Sequence, residues 1–180
     1  MYQPAEDSYF MSEILSDYLK KEKNKKIKIL DIGSGTGIQS ETCLNLNFKN
    51  ILASDIDKEA INFLKSRFKS IKIKKSDLFS SIKEKFDLIV FNPPYLPKEK
   101  FDKNHDTTAG KKGNELIIKF LKQARTKLNK QGKILLLFSS FSNPQKILEQ
   151  ARNLKYNYNL LGEKPLFFEK LFIYEFYFSE

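Results

Sequence analysis

Eight residues, Leu30-Asp31-Ile32-Gly33-Ser34-Gly35-Thr36-Gly37, constrain the fold of this chain more than any other stretch. Ile27 to Ile32 is a short apolar run that reads as a buried strand, and three glycines at alternate positions follow it directly. Without Cβ atoms such a loop turns tightly and lets a ligand approach both its backbone and the N-terminus of the next helix. That helix is expected from about Ile38 to Leu46. No Gly-Lys-Ser/Thr follows, which excludes a phosphate-cradling P-loop, and the spacing differs from the dinucleotide G-x-G-x-x-G. Taken alone, the loop is also compatible with a purely structural turn.

The rest of the chain alternates strands with helices. Residues 6 to 20 read as a helix with Phe10, Ile14, Tyr18 and Leu19 close to one face. Asn50 to Ser54 reads as the second strand, and Asp57 caps a helix that places Ala60, Ile61, Leu64 and Phe68 on one side. Ile71 to Lys74 alternates apolar and basic residues, the pattern of a strand exposed on one face. Asp87 to Phe91 is a buried strand ending at Asn92-Pro93-Pro94-Tyr95, and Leu96 to Gly113 is a long polar loop. Asn114 caps a helix carrying Ile117, Phe120, Leu121, Ala124 and Leu128, which Gly132 stops before a strand from Lys133 to Phe138. Asn143-Pro144 opens another helix. Tyr156 to Leu161 and Leu171 to Phe178 are strands with no helix between them, hence an antiparallel hairpin at the far side. The pattern predicts one domain over residues 1–180, with 1–24 as an N-terminal extension and helix. Its seven-stranded, mostly parallel α/β sheet carries helices on both faces.

Composition removes several function classes. No apolar run approaches the roughly 20 residues of a membrane span, and the acidic, polar start is neither a secretory nor a transit signal, so the expected compartment is the cytoplasm. One cysteine, Cys43, cannot form an internal disulfide and reads as a small buried hydrophobe. One histidine, His105 in the polar loop, cannot build a metal site or a nucleophilic triad, so no metal is expected. The net charge of +10 suits a phosphate-rich partner such as RNA or DNA, or equally a set of lysines spread over exposed faces.

Three acids fall at the C-terminal ends of successive strands, where open α/β sheets bind ligands. Asp55 lies 22 residues after Gly33, where a carboxylate can accept from both ribose hydroxyls and disfavours a 2′-phosphate. Asp77 closes the third strand and can accept from an adenine amino group, with Leu78 packing on the ring. Asp31 can hold a positive amino group. Together they fit S-adenosylmethionine, which is cationic and carries a free ribose and an adenine.

Asn92-Pro93-Pro94-Tyr95 follows the fourth strand. The nitrogen of an amide or an exocyclic base amine is a poor nucleophile, because its lone pair is delocalised. The Asn92 side-chain oxygen and the Pro93 carbonyl can each accept one N–H, which pins the NH2 group and favours its pyramidalisation. Pro93 and Pro94 rigidify the turn, and Tyr95 can stack on the planar substrate. In-line methyl transfer then needs positioning rather than a strong base.

At these residues the chain resembles the HemK family of protein glutamine methyltransferases, which have the Rossmann-like class I methyltransferase fold. It is most similar to the short archaeal and eukaryotic branch, rather than to the bacterial form with its extra N-terminal helical domain. Tyr2-Gln3-Pro4-Ala5-Glu6-Asp7-Ser8-Tyr9-Phe10 resembles the branch's N-terminal signature, and Phe91 to Tyr95 resembles the catalytic motif. Ala109-Gly110-Lys111-Lys112-Gly113-Asn114-Glu115 resembles the Gly-Gly-x-x-Gly segment before a helix, with Ala109 in place of the first glycine. Asp31 stands where a glutamate is common. The resemblance implies cofactor contacts by Ser8, Asp31, Gly33, Asp55, Asp77 and Leu78, with Gly35, Gly37 and Asn92 alongside. It implies that Asn92 and Pro93 hold a glutamine amide in the Gly-Gly-Gln loop of a class 1 release factor. It also implies a small zinc-binding activator as partner, for which the basic strand Ile71 to Lys74 offers an edge, although its lysines equally suit protection of that edge from aggregation. The alternative activity is N-methylation of adenine or guanine in RNA or DNA, since the same motif suits an exocyclic amine. A noncatalytic binding subunit on the same fold is the third reading.

Overall fold

The computed structural model describes residues 2–94 and 114–179. In chain order the elements are α1 (Glu6–Lys21), β1 (Ile29–Ile32), α2 (Ile38–Asn45), β2 (Ile51–Asp55), α3 (Lys58–Arg67), β3 (Lys72–Lys75) and β4 (Phe86–Phe91). They continue with α4 (Glu115–Ala124), β5 (Leu128–Ser139), a 3-10 turn at Ser140–Ser142, α5 (Pro144–Asn153), β6 (Asn157–Pro165) and β7 (Lys170–Tyr177). The strands form a sheet of order β3-β2-β1-β4-β5-β7-β6. The first five are parallel, and β7 runs antiparallel to both β5 and β6. Strand order reverses between β1 and β4, and a crevice opens there beyond the carboxyl ends of the strands.

Burial on both faces explains why the central strands are apolar throughout. Ile134, Leu136 and Phe138 of β5 join Ile117, Phe120 and Leu121 of α4 and Ile147 of α5 in one core. The alternate residues Leu135 and Leu137 face the other way and pack with Met11, Leu15 and Leu19 of α1. Cys43 of α2 lies in that second core, where burial pushes its thiol up and keeps it protonated. Asp57 caps α3 by accepting from the Glu59 N–H, and Asn143 caps α5 by accepting from Lys146, with Pro144 in the first turn.

Three local expectations change. The buried stripe of α1 is Phe10, Met11, Leu15 and Leu19 with Asp7 and Ser8, while Ile14 and Tyr18 are only half-buried. The helix packs on both the sheet and α2, and its first turn faces the crevice. Gly132 does not stop a helix. The helix ends at Ala124, Leu128 already starts β5, and the β4–β5 register jumps between Phe86↔Leu128 and Leu88↔Lys133. A Cβ on Gly132 would stand 2.7 Å from the Phe86 carbonyl oxygen, so this glycine serves a strand irregularity. Asn114 occupies the N-cap of α4 and is buried, yet its side chain makes no capping bond.

Gly37, at the N-cap of α2, has φ +83°, and a Cβ there would lie 2.4 Å from the Phe68 ring and 2.7 Å from Leu64 Cδ2. Gly35 is also left-handed, at φ +53°, but a Cβ would meet nothing nearer than the Tyr2 carbonyl at 4.0 Å. Gly37→Ala is therefore expected to destabilise by about 2–4 kcal/mol, combining left-handed strain with overpacking. Gly35→Ala should lose about 1 kcal/mol, from strain alone. Urea unfolding midpoints of the two variants check the difference.

Candidate active site

A cavity of about 330 Å³ lies at the crevice. The ends of β1, β2 and β4, the segment after β3 and the first turn of α1 wall it, a volume at the small end of ligand pockets. Ser8, Asp31, Gly33, Gly35, Asp55, Asp77, Leu78, Asn92, Pro93 and Pro94 all line it. Gly37 does not, since the space left by its missing side chain is filled by α3. Tyr95 and the Ala109 to Gly113 segment lie outside the described residues, as does His105.

Asp31 ends up inside because β1 alternates. Ile29 packs beneath α1 and α2, and Asp31, two residues on, points to that same face at 2% exposure. Ser40, in the first turn of α2, donates to Asp31 Oδ2 twice, from its N–H at 3.0 Å and from its hydroxyl at 2.6 Å. Burial still wins, pushing the carboxyl up to about 6 against the pull of Ser40, with the Asp55 charge adding to the rise. A cation placed beside it would reverse that balance.

The glycine loop is tied down on both sides. The Ser34 hydroxyl bridges the Asp31 and Ser54 carbonyls, at 2.7 and 3.2 Å. Asp55 accepts from the Gly35 N–H at 2.8 Å through Oδ2 and from the Asp57 N–H at 2.9 Å through Oδ1. Each oxygen retains a second acceptor site, so the carboxylate is oriented without being exhausted. Gly33 has φ +66°, and a Cβ there would press on the Phe91 ring at 3.2 Å. On the far wall Leu78 is buried at φ +46°, while Asp77 is half-exposed and carries Lys119 at 3.4 Å.

Asn92 follows β4 directly. Its Nδ2 donates to Asp7 Oδ2 at 2.7 Å, while its Oδ1 is buried with no hydrogen-bond partner. Asp7 is 4% exposed, and its other oxygen accepts from the Tyr2 hydroxyl at 2.9 Å. Burial, and next the Asp7 charge, pushes that hydroxyl up, so Tyr2 stays a donor. Because a carboxylate only accepts, Asp7 fixes which way the Asn92 amide is turned and leaves its oxygen without a donor. Pro93 is buried beside it. Asp7, Tyr2 and Ser40 were not singled out from sequence. For Asp7 and Tyr2 the only signal was their place in the Tyr2 to Phe10 segment, and for Ser40 there was none.

Residues 9–155 match the model of the methyltransferase small domain family. The chain is 32% identical to a proposed protein N5-glutamine methyltransferase of Methanocaldococcus jannaschii, over 96% of this chain and 89% of that protein. It is 32% identical to the release factor glutamine methyltransferase of Borreliella burgdorferi, over 71% of this chain and half of that longer protein. In fold it is similar to a chain of the E. cuniculi Mtq2–Trm112 complex, responsible for methylation of the eRF1 translation termination factor. The TM-score is 0.79 at 24% identity, covering 99% of this chain and 98% of that one. This chain has the seven-stranded class I methyltransferase fold and belongs to the methyltransferase small domain family, among its protein N5-glutamine methyltransferases.

Proposed function

We propose that this protein transfers the methyl group of S-adenosylmethionine to the side-chain amide of the glutamine in the Gly-Gly-Gln loop of a class 1 translation release factor. The observation that carries the reading is the Asn92 amide: its nitrogen is locked by Asp7 and its oxygen is left buried and unpaired. Such an oxygen wants an N–H, and an amide NH2 supplies one. The names of the relatives support glutamine as the residue that carries that amide.

The cavity fits the cofactor. Asp31 is a buried carboxylate relieved by the α-ammonium group, Asp55 is an oriented acceptor for the ribose hydroxyls, and Asp77 with Leu78 suits the adenine. The cofactor supplies an electrophilic methyl on a cationic sulfur. The protein orients the acceptor: Asn92 Oδ1 and the Pro93 carbonyl each take one N–H of the substrate amide, which holds the nitrogen lone pair out of conjugation. The methylated nitrogen, cationic and acidic, would pass its proton to water without a strong base, the leaving group being the neutral thioether S-adenosylhomocysteine. Residues 1–180 act as one domain in the cytoplasm, the α1 segment completing the site. A small zinc-binding activator fits at the open edge of β3.

Labelled cofactor should mark a purified release factor and leave its Gln-to-Ala loop variant and total RNA unmarked. Equal label in the two proteins would refute the glutamine assignment, and label confined to RNA would establish the base-amine activity instead. Asn92→Ala should lower kcat at least 100-fold with cofactor affinity within about threefold of wild type, since it removes an acceptor for the reacting group. Asp7→Ala should lower kcat by about tenfold, because it frees the Asn92 amide to rotate.

Cofactor binding should also depend on pH. In the ligand-free fold Asp31 titrates near 6, above its unfolded value of 3.8. Its protonated form therefore favours the empty fold, a contribution present below about pH 4 and lost as pH rises through 6. A cationic ligand needs the ionised form, so affinity should fall about tenfold from pH 7.5 to pH 5. Calorimetry on wild type and Asp31→Asn checks this; the slope should vanish in the variant.

A further inference from the structure

The first turn of α1 holds a second amide, and the chemistry above does not use it. The Ser8 carbonyl accepts from Gln39 Nε2 at 2.9 Å, just as neighbouring Asp7 accepts from Asn92. A carbonyl only accepts, so Ser8 fixes the Gln39 amide and leaves its Oε1 pointing elsewhere. Gln39 is 4% exposed and lines the cavity, and its Oε1 has no hydrogen-bond partner. A buried amide oxygen without a donor is unfavourable and calls for a ligand that brings one.

Position along the chain says which part of the ligand. Gln39 is the second residue of α2, and the third, Ser40, is the residue that ties Asp31. Both residues line the cavity, and both are tied to the first turns of α1 and α2, Gln39 through Ser8 and Asp31 through Ser40, so they belong to the same end of it. Asp55 and Asp77 mark the other end, beyond β2 and β3. An ammonium group has three N–H donors and no acceptor, so a lone carboxylate does not satisfy it. We propose that Gln39 is a cofactor-binding residue whose Oε1 accepts an N–H from the α-ammonium of S-adenosylmethionine, alongside Asp31. This rests on the cofactor reading and is independent of which molecule is methylated.

Two product-like ligands separate a direct contact from a packing role. S-adenosylhomocysteine keeps the amino-acid part, and 5′-methylthioadenosine lacks it. By calorimetry, Gln39→Met should bind S-adenosylhomocysteine about tenfold more weakly and 5′-methylthioadenosine unchanged. Equal losses for both ligands, or no loss for either, would overturn the proposal. The desamino analogue of S-adenosylhomocysteine closes a cycle with Gln39→Leu as a second variant: removing the amino group should weaken binding less in the variant than in wild type. Additive losses would refute the contact. A wild-type chain that binds none of these ligands would overturn the cofactor reading and the proposal together, whereas a chain that binds them but leaves release factors unmodified would affect only the substrate assignment.

Discussion

A carboxylate sits where the strand pattern would otherwise put an aliphatic side chain. Asp31 shares its face of β1 with Ile29, under α1 and α2, and is almost wholly removed from water. Raising a carboxyl from 3.8 to about 6 corresponds to roughly 3 kcal/mol of disfavoured charge at neutral pH. Ser40 offsets only part of that burden. The surroundings of the strand end follow from it: Ser40 must stand in the first turn of α2, so the glycine loop must reverse the chain within a few residues. Ser34 then fastens the loop to the carbonyls of Asp31 and Ser54. A cation placed at this point would offset that burial, as the proposed cofactor site requires.

Helix α1 closes the site from outside the alternating strand–helix core. Four of its apolar residues anchor it against the sheet, so the position of its first turn is set by packing rather than by loop geometry. That turn then grips two amides, Asn92 from the end of β4 and Gln39 from α2. Each amide loses its rotational choice and presents an oxygen. Acceptors fixed in advance need no reorganisation when charge develops, which is the main economy available to a site without a strong base. The Tyr2 hydroxyl extends the chain of constraint one residue further, to Asp7.

What the sequence disclosed and what it hid divide along the range of the interactions. The glycine loop, the Asp57 and Asn143 caps, the buried runs of β1 and β4 and the terminal hairpin are written in neighbouring residues, and all are present. The acids Asp31, Asp55 and Asp77 do converge, because strand ends of a parallel sheet lie side by side. Asp7, however, meets a partner 85 residues away and Gln39 one 31 residues away, and no local pattern marks either pairing. Gly132 shows the converse failure. A glycine after a helical run reads locally as a stop, yet here the β4–β5 register decides its role. The rotated face of α1 has the same origin, since its burial is dictated by the sheet and α2 together.

The acceptor pair proposed at Asn92 and Pro93 suits any planar NH2, so the choice of molecule must come from elsewhere. Asn92 stands at the wall of the cavity, only half-exposed. A slim, unbranched side chain on a protruding loop reaches such a point without rearranging either partner. A base in a duplex must first leave its stack, at a cost of a few kcal/mol. The positive charge of the chain assists either approach at long range and so does not discriminate between them. The cost of unstacking a base, more than net charge, is therefore what makes glutamine the better match.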